Sequence, residues 1–443
     1  MQPRSPYSYV LNRLPVLSES RWLRFGVFSA YYVLQGLPIG LTFVVFPVWL
    51  TGQGIPAGLV ATFATTTALP WTLKVISGPF MDRFTFLSMG LRRPWILGAQ
   101  VLLLMASCML FLVTDLEGNF WLLLWISTAM NAFAAIGDVA VDGLAVLIIP
   151  EDERGRANAF MGSSQVIGMS LAAGVSIPLL NVGGVPGLGV FVVALVGLIA
   201  GLSLFVRERT GDRILPWTEG GGNPSIIRPV ASIALLLKDL LETLVSPTNV
   251  LMVCIIVLHR ASYGLYKVWA PAMGINRLGY SDVDFAHWNA IALLVSVAGG
   301  LAVGPLIDKI GVQKVYSRCL LGAGFVYFGL FLTSEFLSSP KVAIGVLFLL
   351  ETIFTVAGIA FIAIAMSSSR LKLSSTHFAS FMAFGNLGMS DGSAIYPALS
   401  DLVSIVGIFL AIAALYISCV LLLSRFSLDR YRSRMAQLDS GSV

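Results

Sequence analysis

A chain of 443 residues that is 57% hydrophobic and only 12% charged, with a mean hydropathy of +0.86, carries more apolar side chain than one or two water-soluble cores can bury. The excess points to membrane spans. A net charge of +5 invites a nucleic-acid reading, but the basic residues are dispersed in short segments between apolar runs, so no nucleic-acid partner is expected.

Residues 1–22 carry Arg4, Arg13 and Arg21 ahead of a long apolar run with no small-residue cleavage site, so the first span reads as an anchor behind a cytoplasmic N-terminus. Runs able to cross about 30 Å of hydrocarbon at about 1.5 Å per residue fall at 23–50, 57–80, 94–114, 119–149, 156–180, 187–206, 249–273, 284–306, 317–334, 341–366, 378–400 and 402–424. The expected fold is an all-α membrane protein of twelve transmembrane helices. Six form an N-terminal bundle (23–206) and six a C-terminal bundle (249–424), joined by a solvated linker (207–248) and followed by a cytoplasmic tail (425–443). With both ends cytoplasmic, 23 of the 28 Lys and Arg residues fall on the inner side, only Arg277 and Lys341 fall outside, and Lys74, Arg260 and Lys267 lie within spans.

Within the first half, Gln35, Gly36 and Pro38 mark a kink in span one where freed carbonyls and the Gln35 amide can meet a solute. Span two ends in GPFMDR (78–83), and span eight in GPLIDK (304–309); equivalent positions in two halves imply a duplicated bundle. An Asp at such a helix end can engage an Arg or a neighbouring helix N-terminus, which nominates Asp82, Arg83, Arg92, Arg93, Arg154, Asp308 and Lys309 for gating. Asp138 and Asp142 in span four lie about 40° apart around the helix and about 6 Å along it, on one face. Depth counted from the inner ends matches Lys74 to Asp142, leaving Asp138 deeper, less compensated and placed to take up and release a proton. Packing roles for both remain the alternative. EDERGRAN (151–158) reads as a solvated turn with a helix start.

In the second half, HRASYGLYK sets Arg260, Tyr263, Gly264 and Lys267 in one stripe along span seven. The stripe either grips an anionic ligand or pairs internally, Arg260 with Glu351 of span ten and Lys267 with Asp391 of span eleven. His259 reads as a packing histidine and His377 as a surface residue. Asn386 and Ser390, near Asp391, are candidates to line a vestibule, and Glu351 and Asp391 are further proton-carrying candidates. The four cysteines read as small buried hydrophobes. Residues 94–114, 187–206, 319–334 and 402–424 contain no Asp, Glu, Lys, Arg or His, so spans three, six, nine and twelve are expected to face lipid.

The paired GPxxD(R/K) segments resemble the conserved loop of the major facilitator superfamily. KVISGPFMDRFTFLSMGLRRPWILGAQ (74–100), with a longer turn than the common form, and GDVAVDGLAVLIIPEDERGRANAF (137–160) resemble the AmpG-type muropeptide permease branch, which includes acetyl-CoA transporters and siderophore permeases. Lys74, Asp82, Arg92, Arg93, Trp95, Gln100, Asp138, Asp142, Glu153, Arg154 and Gly155 match that pattern, whereas Gly137 stands where the branch often has Gln. The resemblance implies a monomeric permease of a bacterial inner membrane, and proton-coupled uptake of a muropeptide-like or siderophore-like solute. No Gly-rich phosphate loop and no His or Cys cluster with ligand spacing occurs, so no cofactor, metal or enzymatic role is expected. The expected partners are a small-molecule solute, protons and the lipid bilayer. Two alternatives stand beside uptake: an exporter of the same class, and a non-transporting assembly or receptor protein on the same fold.

Overall fold

The computed structural model describes residues 14–218 and 232–440. Arg4 and Arg13, and the GGGNP stretch of the linker, lie outside the described residues. Thirteen main helices carry the chain: α1 Arg21–Gly40, α2 Ala57–Leu73, α3 Arg93–Cys108, α4 Leu116–Ile148, α5 Arg154–Leu204, α6 Ile233–Leu244, α7 Pro247–Ala272, α8 Asp282–Ile310, α9 Val312–Leu332, α10 Pro340–Ser368, α11 Ser374–Leu402, α12 Ile405–Arg425 and α13 Leu428–Ser440. Among the described residues, ten helical stretches are long and apolar enough to cross a membrane. One of them, containing α5, runs 54 residues and breaks at Gly184, whose φ of +62° is open to glycine and disfavoured for other residues. The polar α11 stands outside those ten, although it is 29 residues long.

Proline shapes the first two helices. Pro38 sits inside α1, which continues through a π-helical turn, Leu41–Val45, into Phe46–Gly52. Pro70 sits inside α2, which tightens into a 3-10 turn at Lys74–Ile76 before Ser77–Arg83. The kink expected near Gln35 therefore takes the form of a π-turn one helical turn further on.

The chain divides into two compact units. Unit 1 is Met1–Ile149, Phe160–Leu237 and Leu371–Ala379; unit 2 is Pro150–Ala159, Lys238–Arg370 and Ser380–Val443. In unit 1, α4 packs against α1, α2 and α3. Gly36 on α1 and Gly168 on α5 bring the backbones close: a Cβ at either would lie 2.2 Å from the carbonyl oxygen of Gln165 or Val33. In unit 2, α8 packs on α10 and α12 on both α7 and α9, and the same device recurs where a Cβ at Gly264 would meet the Met389 carbonyl oxygen at 2.1 Å. The tail helix α13 is anchored in unit 2 by the fully buried Tyr431, whose hydroxyl donates to Asn249 Oδ1 at 2.7 Å.

Met105 on α3, Leu198 on α5, Phe325 on α9 and Leu421 on α12 are each about 60% exposed or more. Large apolar side chains on uncharged faces suit hydrocarbon, as expected for those four spans. The cysteines are less uniform than expected. Cys419 is buried and Cys319 half-buried, but Cys108 and Cys254 are exposed on their helices, where an apolar solvent makes burial unnecessary.

Candidate functional site

Unit 1 places one cation between two carboxylates. Lys74, at the 3-10 turn, forms an ion pair with Asp138. Asp142 accepts instead from the Tyr32 hydroxyl of α1 at 2.5 Å, and both carboxylates are buried. This reverses the pairing expected from depth counting. A 3-10 turn rises about 2.0 Å per residue against about 1.5 Å in an α-helix, which sets Lys74 deeper than a uniform helix allows. The long ammonium arm covers the remaining distance to Asp138. A polar chain continues away from the pair: Lys74 lies over the Trp71 ring, Trp71 Nε1 donates to Asn131 Oδ1 at 2.7 Å, and Asn131 Nδ2 reaches Thr42 Oγ1 at 3.2 Å. Gln35 is buried with neither amide atom hydrogen-bonded to protein. With Gln100, Tyr31 and Gly137 it lines a separate cavity of about 20 Å³.

Unit 2 places two cations near one carboxylate. Glu351 on α10 is fully buried and accepts from the Tyr266 hydroxyl at 3.0 Å, with Lys267 Nζ at 3.5 Å. Each unit thus sets a tyrosine from its first spanning helix on a carboxylate from its fourth. Arg260 lies over the opposite end of the stripe, its guanidinium 5.2 Å from the Tyr263 ring centroid and 3.5 Å from Met389 Sδ. It makes no ion pair among the described residues. Neither expected internal pair forms. Lys267, two turns from Arg260, occupies Glu351, and Asp391 is exposed on α11 away from Lys267. Asn386 is half-buried and Ser390 exposed on the same helix. His259 packs as expected, buried against Tyr316 with Nδ1 2.8 Å from its hydroxyl. His377 does not lie at the surface; it is completely buried in the first turn of α11.

The repeated Asp residues each meet a helix start. Asp82 pairs with Arg92 and accepts from the backbone N–H groups of Ser375 (3.2 Å) and Thr376 (2.8 Å) and from Thr376 Oγ1 (2.5 Å). Arg92 also donates to Met81 O and Ser374 Oγ. Asp308 accepts from the backbone N–H groups of Gly155 (2.7 Å) and Arg156 (3.3 Å) and from Arg156 Nε at 2.6 Å. Negative charge at a helix N-terminus satisfies orphan donors and complements the dipole. EDERGRAN is therefore more than a solvated turn: its Gly155 and Arg156 hold Asp308. The other residues nominated for gating lie elsewhere. Arg83 stacks on Phe84, Arg154 donates to Ser367 Oγ, and Lys309 is exposed.

Arg93 belongs to a third cluster that sequence reasoning missed. Glu208, from the segment expected to be a solvated linker, is buried and accepts from three successive backbone N–H groups, those of Leu91, Arg92 and Arg93. Arg93 donates in turn to the carbonyls of Leu204, Arg213 and Ile214, and Trp95 Nε1 to that of Phe84. Leu17 N and Ser18 N bond to the carbonyls of Arg207 and Glu208. Burial raises the Glu208 carboxyl above its ordinary range and pushes Asp212 up to about 6. The available signal was two acidic residues, Glu208 and Asp212, inside the basic run RERTGDR, too little to distinguish from solvated charges.

Comparison with known proteins agrees with this architecture. The Major Facilitator Superfamily model matches residues 28–390, and the chain belongs to that family. Among solved structures, the human organic anion transporter MFSD10 (TETRAN) superposes with a TM-score of 0.66 at 14% identity, over 91% of this chain and 100% of that one. A variant of the E. coli fucose:proton symporter FucP gives 0.67 at 12%, over 91% and 98%. The proton:xylose symporter XylE gives 0.66 at 13%, over 97% and 100%. The chain is thus a multi-pass membrane protein of a transporter fold rather than an enzyme.

Proposed function

We propose that this protein is a proton-coupled secondary transporter of an organic anion, working by alternating access through twelve crossings with both ends cytoplasmic. The observation that carries the reading is the charge inventory of the two sets, buried carboxylates with partly exposed cations. Unit 1 holds Lys74 against Asp138 and Asp142, one negative charge in excess; unit 2 holds Arg260 and Lys267 against Glu351, one positive charge in excess. Uncompensated charge in a membrane span is costly and therefore suggests function. The spare carboxylate is a proton acceptor, and the spare guanidinium is a fork for a carboxylate or phosphate. Tyr263 and Met389 beside Arg260 suit an apolar group next to that anion.

Within this reading Asp142, bonded to a neutral hydroxyl, carries the proton, and Asp138 serves as counter-ion to Lys74. The candidate substrate residues are Lys74 and Gln35 in unit 1 and Arg260, Tyr263, Lys267 and Asn386 in unit 2; Glu351 is held by Lys267, and Asp391 serves an outer vestibule. Asp82 with Arg92 and Asp308 with Arg156 are contacts to be released and remade as access alternates. The resemblance of residues 74–160 to AmpG-type permeases supports a muropeptide-like or siderophore-like solute and uptake at a bacterial inner membrane. Organic-anion and proton-coupled transport both occur on this fold.

The test is solute-dependent proton uptake by proteoliposomes across a panel of organic anions, with Arg260→Gln beside the parent. Loss of one charge-assisted contact, about 2 kcal/mol, raises the apparent KM about thirtyfold, with protein yield unchanged. An unchanged KM for an anion that drives proton uptake overturns the assignment of Arg260.

A further inference from the structure

Two cavities in unit 2 share the side chains of Ile310 and Arg318. The first is a basin of about 630 Å³ at the start of α9 and the end of α12, walled by Lys314, Ser317 and Arg318 of α9 and by Arg432 of α13, with Glu151 and Asp429 at its rim. Glu151 is taken by Arg432 at 2.6 Å, and Asp429 sits in the first turn of α13, where it complements the helix dipole. Lys314 and Arg318, one turn apart and exposed, have no ion pair among the described residues. Three cations against two carboxylates leave one positive charge. The second cavity is an apolar groove of about 310 Å³ between α8, α9 and α10, lined by Leu306, Ile310, Cys319, Gly322, Ile353 and Val356, and Arg318 closes its polar end.

We propose that these cavities form one binding site for an anionic phospholipid, its phosphodiester between Lys314 and Arg318 and an acyl chain in the groove. Three observations select this occupant. The net positive charge of the basin balances the single negative charge of one phosphodiester. The groove opens on helices whose exposed side chains are apolar, Leu306 and Leu321 among them. With both ends cytoplasmic, the orientation proposed above on which this point rests, the basic ends of α8 and α9, with Lys309, Lys314 and Arg318, lie at the level of the inner-leaflet headgroups. A free phosphate would use the basin and leave the groove without a role. Arg318 lines both cavities, and a side chain with an apolar stem and a charged head suits both environments.

The experiment is native mass spectrometry of the full-length protein from nanodiscs of mixed phosphatidylglycerol and phosphatidylcholine. The parent is expected to retain one phosphatidylglycerol selectively. Lys314→Gln with Arg318→Gln should reduce that selectivity about thirtyfold. Gly322→Leu tests the groove independently: no atom lies within 4 Å of a Cβ built there, and a larger apolar side chain at this lining position should compete with the acyl chain and expel the lipid with both cations intact. Retention that is insensitive to Gly322→Leu, or displaced equally by soluble glycerophosphate, would show a phosphate site without a lipid and overturn the proposal. Equal retention of the two lipids by the parent would overturn it as well.

Discussion

Asn for Asp keeps shape and removes ionisation, so the two carboxylates of α4 are separable by experiment. Asp142→Asn is expected to abolish accumulation against a gradient while solute exchange and expression persist, because Asp142 leaves no cation behind. Asp138→Asn strands the Lys74 ammonium and is expected to lower thermal stability by about 3 kcal/mol, the cost of an orphaned buried charge, with rescue by Lys74→Met. Stability curves and counterflow assays on the three variants decide this; normal accumulation by Asp142→Asn returns the coupling role to Asp138 or Glu351. The shared face of Asp138 and Asp142 was legible from their spacing of four. Their partners were not. A local change of helix type at Lys74 and a tyrosine from α1 settled the pairing, and a residue count assumes uniform rise and sees no neighbouring helix. Arg260 and Lys267 were likewise recognisable as a stripe, but which of them took Glu351 depended on packing between α7 and α10.

Helix starts and loops hold a second set of consequences. Gly90, at φ +104°, lies so close to Glu208 that a Cβ would come within 2.5 Å of its carboxyl carbon. Gly90→Ala and Glu208→Ala should therefore both free three N–H groups of the Leu91–Arg93 turn and destabilise the protein by about 2 kcal/mol, whereas Glu208→Gln should cost less. Asp212 gives the same segment a pH dependence. Its carboxyl holds a proton up to about 6 in the folded protein against an ordinary 3.8, so between those values the folded state binds more protons than the unfolded one. The stabilising contribution is present at the acid end of that window and falls as pH rises through it. The protection factors of the amides in residues 14–20, that is, exchange relative to its intrinsic base-catalysed rate, should fall between pH 5 and pH 7, about where Asp212 ionises, and Asp212→Asn should remove that fall. Element boundaries were largely legible from apolar runs and prolines. The role of RERTGDR was not, because a buried carboxylate and a solvated one look alike until the backbone donors around it are known.

The topology expected for the whole chain rests on the positions of 28 basic residues and four uncharged spans, which constrain it from many directions at once. Orientation has a direct test. In a background without native cysteines, Gln53→Cys should react with an impermeant thiol reagent added outside intact cells, and Lys309→Cys should react only after permeabilisation. The opposite pattern would overturn the cytoplasmic placement of the termini. Composition also made the double bundle expected, through GPFMDR and GPLIDK. It did not show that contacts partition the chain out of sequence order, because that depends on Asp82 and Asp308 finding donors far along the chain.

The exchange of short segments, 371–379 into unit 1 and 150–159 into unit 2, bears on genetic splitting of the protein. A fragment ending at residue 218 contains Asp82 and Arg92 but lacks Ser374, Ser375 and Thr376; a fragment beginning at residue 232 contains Asp308 but lacks Gly155 and Arg156. Each piece made alone is born with a carboxylate deprived of its helix-start donors, Asp82 keeping only Arg92. Co-expressed, the pieces supply each other's missing turns, so complementation of two separately encoded halves reports on whether these caps assemble.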